Sequence, residues 1–260
     1  MMPESGTWKR TASTLTRHDP WAWYIPDMST HRFLDHLFPP NGEQPLFETR
    51  SAILIPQHYP PSILFLGTYN DSDDAIKKNT ADFFYGRNYF WPVWRRLFGI
   101  SGATPCTMGM RKSGNNMQEI PLMEGEGSIY SMCTQGKMTF ADLISRVNAQ
   151  LRSHSDEELR QAHDNGQVEW STPQIIQYLR ETTSIRYVRS TRQMHNSAPW
   201  QQHWEALISA DYRRKIDFGH IHTPSGNGLG MPGVPKCEAL AGKWMEQLPP
   251  DYLAEVGAKM

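Results

Sequence analysis

Cysteine is scarce in this sequence: 260 residues carry three, Cys106, Cys133 and Cys237, far apart along the chain. That excludes a disulfide framework and leaves too few thiolates for a four-cysteine zinc or iron–sulfur site, and it points to a reduced, cytoplasmic setting. Long apolar runs are also missing. None approaches the roughly 18 residues of a membrane span, and the stretch Met1 to Arg17 is polar rather than signal-like, so a soluble protein is expected. An excess of one charge is absent too. Lysine and arginine total 26 against 27 acids, for a formal charge of −1, so no overall basic field advertises nucleic acid and any such site must be local. Hydrophobic residues make up 38% of the chain, enough to bury the core of one α/β domain with a short appendage, which excludes disorder as the main state.

Along the chain, residues 1–50 hold Trp8, Trp21, Trp23 and Tyr24 among prolines and polar residues. They read as an N-terminal extension with a short helix from His31 to Phe38, packed on a core domain of residues 51–260. The unbroken apolar Ile63-Leu64-Phe65-Leu66, bounded by Pro60-Pro61 and Gly67, predicts a central parallel strand from Ser62 to Leu66. Phe90, Trp91, Val93, Trp94, Leu97 and Phe98 recur at helical spacing, predicting a helix from Tyr89 to Phe98 ended by Gly99. Residues 101–135, rich in Gly, Ser, Met and Thr, read as a long loop insertion. Helices are expected at Thr139 to Ser153 and at Thr172 to Arg180, the latter with Thr172 as cap and Pro173 at its first position. A strand at Ile185 to Ser190, a helix at Trp200 to Ala210, a strand at Ile216 to Ile221 and a closing helix from Pro235 to Gln247 complete the pattern. Strands alternating with helices define an α/β class, here a three-layer α/β/α sandwich around a mainly parallel four-stranded sheet, with ligands at the carboxyl ends of the strands.

Two loops meet that expectation. Gly67-Thr68-Tyr69-Asn70-Asp71-Ser72 follows the first strand, and His222-Thr223-Pro224-Ser225-Gly226 follows the last. Between them lies Tyr85-Gly86-Arg87-Asn88-Tyr89-Phe90-Trp91-Pro92. In order and spacing these three segments resemble the uracil-DNA glycosylase superfamily. Its members carry a Gly-led loop after the first strand, an Asn-x-Phe-Trp segment opening the next helix and a Pro-Ser loop late in the chain. The resemblance spans about Ser62 to Leu248, and Arg-Asn-Tyr-Phe-Trp-Pro is most similar to the hypoxanthine-DNA and mismatch-specific branches.

Such enzymes flip a nucleotide out of the stack, hold its base on an aromatic ring and polarise water or the leaving base as the N-glycosidic bond breaks. The resemblance puts Phe90 in the stacking position, although the same ring fits the buried stripe of an amphipathic helix. It gives Asn88 the base edge or the attacking water, since an amide both donates and accepts. Gly67 and Tyr69 border the base. Tyr69 stands where active members have Asp or Asn, so catalysis is open among Asn70, Asp71 and Asn88. Asp71 is the one carboxylate able to take a proton from water, yet it equally fits a helix cap. In the late loop the family's His-Pro-Ser reads His222-Thr223-Pro224-Ser225. His222 is thus the histidine for the departing base anion, with His220 its competitor, and Ser225 holds a phosphate. Gly226 and its neighbours can approach phosphates through backbone amides, and Leu229 or Met231 can wedge into the gap left by a flipped base.

From Arg180 to Lys215 seven basic residues face three acids. Within that surplus Arg189 and Arg192, together with Arg87 beside Asn88, are the expected phosphate contacts. The histidines His195, His203 and His222 are too loosely spaced for a metal centre. The resemblance therefore implies a monomeric, cofactor-free and metal-free DNA glycosylase that leaves an abasic site. Its substrate would be a deaminated base such as uracil or hypoxanthine, or an enlarged modified pyrimidine of bacteriophage DNA. A catalytically silent DNA- or nucleotide-binding member of the same fold is the alternative.

Overall fold

The computed structural model describes residues 29–30, 46–69, 88–100, 108–109, 117–118, 125–151, 155–194, 197–229 and 233–259. The elements in chain order are β1 (Ser29–Thr30), β2 (Phe47–Arg50), β3 (Ile53–Pro56), β4 (Ile63–Gly67), α1 (Phe90–Leu97), β5 (Met108–Gly109), β6 (Met117–Gln118) and α2 (Ile129–Gln135). There follow β7 (Met138–Asp142), β8 (Ile144–Val147), α3 (Asp156–Asp164), β9 (Val168–Trp170), α4 (Thr172–Glu181) and β10 (Tyr187–Ser190). The chain closes with α5 (Trp200–Ser209), β11 (Asp217–His220), α6 (Lys236–Gln247) and α7 (Pro250–Glu255).

The central sheet runs β11-β10-β4-β7-β3-β2. The first four strands are parallel, and β3 and β2 are antiparallel. Ile63, Leu64, Phe65 and Leu66 are all 0% exposed, as an unbroken apolar strand must be when both faces of its sheet are covered. Because strand side chains alternate, Ile63 and Phe65 join one core with residues of α1, α2, α6 and α7, whereas Leu64 and Leu66 join another with α3, α4 and α5. The result is the expected three-layer α/β/α arrangement.

Several expectations need correction. The sheet has six strands rather than four, because β2 and β3 add an antiparallel hairpin at its edge. Arg50 pairs with Ile53 across the two-residue turn Ser51-Ala52, with Ser51 at φ 53°. The expected boundary at residue 50 thus falls inside this hairpin. The helix expected at Thr139 to Ser153 is not formed over the described residues 139–151: they hold β8 and all but the first residue of β7, since Met138 to Asp142 pair in register with Ile63 to Gly67 and a place beside a buried strand outweighs helical periodicity. The helix lies later, at α3, where Ser155 accepts the Glu158 N–H and three acids fill the first turn. The expected loop 101–135 ends in α2, capped by Ser128. Thr172 is helical rather than the cap, and Ser171 precedes it. Cys133 is a buried free thiol and Cys237 is disulfide-bonded, against the expectation of reduced thiols throughout. The helix expected at His31 to Phe38 lies outside the described residues. No helix among them is long and apolar enough to cross a membrane.

Candidate functional site

From β4 the chain crosses to β7 on one side, while β10 lies against the other side of β4. The strand order therefore reverses between β4 and β10, and the crevice beyond their carboxyl ends, Gly67 and Ser190, is where a doubly wound sheet binds ligands. Gly67 is buried, and its carbonyl accepts the Leu143 N–H at 3.2 Å while the Thr68 carbonyl accepts that of Ile144 at 3.0 Å. These bonds fix the start of the first loop. Tyr69 is half-buried against the α4 and α5 side of the core. Asn70, Asp71, Arg87 and Met231 lie outside the described residues.

Asn88 stands at the entry to α1, 8% exposed, with its Oδ1 accepting the Phe90 N–H at 2.9 Å. That bond satisfies one of the orphan donors of the first turn and fixes the amide's orientation. One lone pair of the oxygen is used by the backbone, and the Nδ2 group carries the donor pair that Asn88 can offer a ligand. The next residue ties the segment to the late loop, because the Tyr89 N–H donates to the Pro224 carbonyl at 2.8 Å. The Tyr89 ring, half-buried, lies under Gly226: a β-carbon there would sit 3.5 Å from the ring, and Gly226 holds φ 65°. Glycine is needed at this turn for its conformation.

The late loop is held from below by α6. The His222 N–H donates to Gln247 Oε1 at 2.7 Å, and the His222 carbonyl accepts from Trp244 Nε1 at 2.8 Å. The imidazole Nε2 lies 2.8 Å from the Asn227 carbonyl. A carbonyl only accepts, so Nε2 carries the proton in that bond and Nδ1 is the nitrogen left for a ligand. Ser225 Oγ sits 3.2 Å from Thr223 Oγ1 and accepts the Asn227 N–H at 3.4 Å. His220 ends β11 with its ring 4.9 Å from Trp204. The structure thus brings Asn88, His222, Ser225 and Gly226 together at the carboxyl edge. Leu229 is half-buried against the α1 side of the core, which makes it a packing residue of the loop rather than a protruding wedge.

Three assignments fail on geometry. Phe90 is 0% exposed, its ring 5.3 Å from Phe65, 4.9 Å from Trp91, 6.0 Å from Phe140 and 5.3 Å from Trp244. It is a core ring that no base can reach in this arrangement. Arg189, 5% exposed, pairs with Asp217 Oδ2 at 2.7 Å and donates to the carbonyls of Val188 and Asp217, buried along β10. Arg192 forms a bidentate pair with Asp156 and lies over the Trp200 ring at 4.8 Å. Neither is presented to a phosphate. Arg180, Arg186 and Arg214 are bonded internally as well, to the Asp211 carbonyl, to Glu255 and to the carbonyls of Leu179, Thr182 and Ile185. Most of the basic surplus is therefore committed to bonds within the protein. His195 is outside the described residues, and among those described no group of three or more His, Cys, Asp or Glu is placed to hold a metal.

Tyr89, Trp244 and Gln247 belong to the site as well, beyond the residues that the sequence motifs single out. Tyr89 stood in the motif, masked by its more apolar neighbour. Nothing in the spacing of α6 signals that Trp244 and Gln247 reach back to His222. No protein-family model, curated protein or solved structure matches the chain. Fold and site together define a doubly wound α/β protein with an amide, an imidazole and a glycine turn at its switch point.

Proposed function

We propose that the chain is a monofunctional DNA glycosylase, hydrolysing the N-glycosidic bond of a flipped deaminated or enlarged modified base and working as a monomer in the cytoplasm. The observation that carries this is the 2.8 Å bond from the Tyr89 N–H to the Pro224 carbonyl. It joins the Asn88 segment to the His222–Gly226 turn above the switch point, so one base and its flanking phosphate can meet both. In the reaction the C1′–N bond breaks as a water oxygen bonds to C1′, the water gives up a proton, and the base departs with the electron pair of the broken bond. The Asn88 Nδ2 donors suit the developing charge on a base carbonyl. An amide cannot deprotonate water, so that step needs a carboxylate, for which Asp71 has the right chemistry. With Nε2 bonded to Asn227, His222 can donate to the base anion only when Nδ1 is also protonated. The stacking surface passes from Phe90 to the half-buried tyrosines Tyr89 and Tyr69, and backbone amides from Gly226 onward suit a phosphate.

The engagement of Asn88 Oδ1 as a helix-entry acceptor, and the internal pairing of Arg189 and Arg192, favour one rival: a silent nucleic-acid-binding member of the fold. Single-turnover excision separates the two. Asn88→Ala should slow base release by about a hundredfold, the scale of one lost electrostatic donor, with Kd for the oligonucleotide within about threefold. Oligonucleotide binding with no turnover in the parent protein on any substrate supports the silent binder.

A further inference from the structure

The candidate site lies at the carboxyl edge of the sheet; a second feature lies in the helical layer where α4 and α5 run side by side. Between them is a cleft of about 500 Å3, a size typical of small-molecule sites. Its walls come from Trp170 at the end of β9, Pro173 and Ile176 on α4, and Ala206 on α5. The Trp170 indole is held in place: the His203 ring stacks on it at 3.6 Å and 14°, while His163 and Trp200 meet it edge-on at 5.5 Å. His203 in turn has Nδ1 2.9 Å from Thr172 Oγ1. This is where the Thr172 hydroxyl goes instead of capping its helix.

Arg180 is the one charged side chain among the described residues that line the cleft. Its Nε donates to the Asp211 carbonyl at 3.0 Å, which leaves the two Nη groups as donors. The neighbouring carboxylates are engaged elsewhere: Glu181 with Arg50 and Gln177, and Asp211 with the Arg213 N–H. Burial pushes the His203 pKa down to about 4, so the imidazole adds no second positive charge near neutrality. The cleft thus offers a flat apolar wall and a single guanidinium.

We propose that the α4–α5 cleft is a binding site for a small planar aromatic monoanion, an aryl carboxylate. Its ring packs on Trp170 among Pro173, Ile176 and Ala206, and its carboxylate pairs with Arg180. A forked guanidinium matches a carboxylate in two parallel hydrogen bonds, and a rigid ring loses little freedom on binding. This site shares no residue with the one assigned to DNA and stands whether or not the chain is a glycosylase.

Calorimetric titration of the full chain with 2-naphthoate, and with the neutral isostere 2-naphthamide, tests it. Saturable one-to-one binding of the naphthoate is expected, at least tenfold tighter than the amide. Arg180→Gln should bring the two ligands to similar affinity, and Ala206→Trp, which fills the cleft from an exposed position, should abolish both. Absence of saturable binding, equal affinity of the parent protein for the two ligands, or naphthoate binding indifferent to either substitution overturns the proposal.

Discussion

Replacing Phe90 by alanine distinguishes a core ring from a stacking ring. A base-stacking aromatic on the rim of a pocket contributes about 1–3 kcal/mol to binding and little to folding. Phe90 instead sits at 0% exposure between β4, β7 and α6, with Phe65, Phe140 and Trp244 within 6.0 Å of its ring. Cutting such a side chain back to a methyl group removes buried apolar surface and leaves a cavity walled by large rings that cannot collapse, a change that costs about 3–5 kcal/mol. For a chain of this size that lowers Tm by roughly 6–20 °C. Urea denaturation followed by tryptophan fluorescence should show the midpoint falling with the slope unchanged, and Phe90→Leu should recover most of the loss by refilling the space. A Phe90→Ala protein of normal stability that has lost oligonucleotide binding would refute this account of the ring.

Two further expectations follow from side chains whose surroundings differ from those the sequence suggested. Arg189→Leu should cost about 1–3 kcal/mol in unfolding free energy, through the lost pair with Asp217 and two carbonyl bonds. It should leave the salt dependence of DNA binding unchanged; a slope reduced by about one would mean that Arg189 does meet a phosphate. His203, at about 4 in the folded chain against 6.5 as its ordinary value, is held neutral, so the unfolded chain binds the extra proton between those values. Its contribution to stability is therefore complete above about pH 6.5 and is lost as pH falls towards 4. The full shift corresponds to about 3 kcal/mol, and partial exposure brings the expected figure to about 1–2 kcal/mol. His203→Phe keeps the stack on Trp170 without a titrating group, so its stability should fall less than the parent's between pH 6.5 and 4 in matched urea titrations; parallel curves would contradict the burial argument.

The strand at Ile63 to Leu66 was legible because an unbroken apolar run between Pro60-Pro61 and Gly67 has few other uses, and the helix after Tyr89 because its aromatic stripe keeps one period. Thr139 to Asp142 was misread because buried parallel strands and buried helix segments look alike over so short a run, and only pairing with β4 decides between them. The α3 signal, Ser155 with Glu158 three residues on, is a capping pattern legible in the sequence. At the site, the order of the loops could be read, but the use of each side chain could not. Phe90 and Tyr89 are adjacent in sequence, and only the phase of α1 against the sheet decides which ring is buried. The arginines were counted as a surface field, although their partners, Asp217 and Asp156, lie 28 and 36 residues away in sequence. Composition carries no information about such pairings.

The most direct measurement of the central claim is base excision itself. Purified protein would be incubated with single- and double-stranded oligonucleotides containing uracil, hypoxanthine or an enlarged modified pyrimidine, followed by alkali to cleave abasic sites. A DNA glycosylase should give strand cleavage at the position of one such base, dependent on alkali and lost in Asn88→Ala. Oligonucleotides that bind the protein yet remain uncleaved across the whole panel would contradict it.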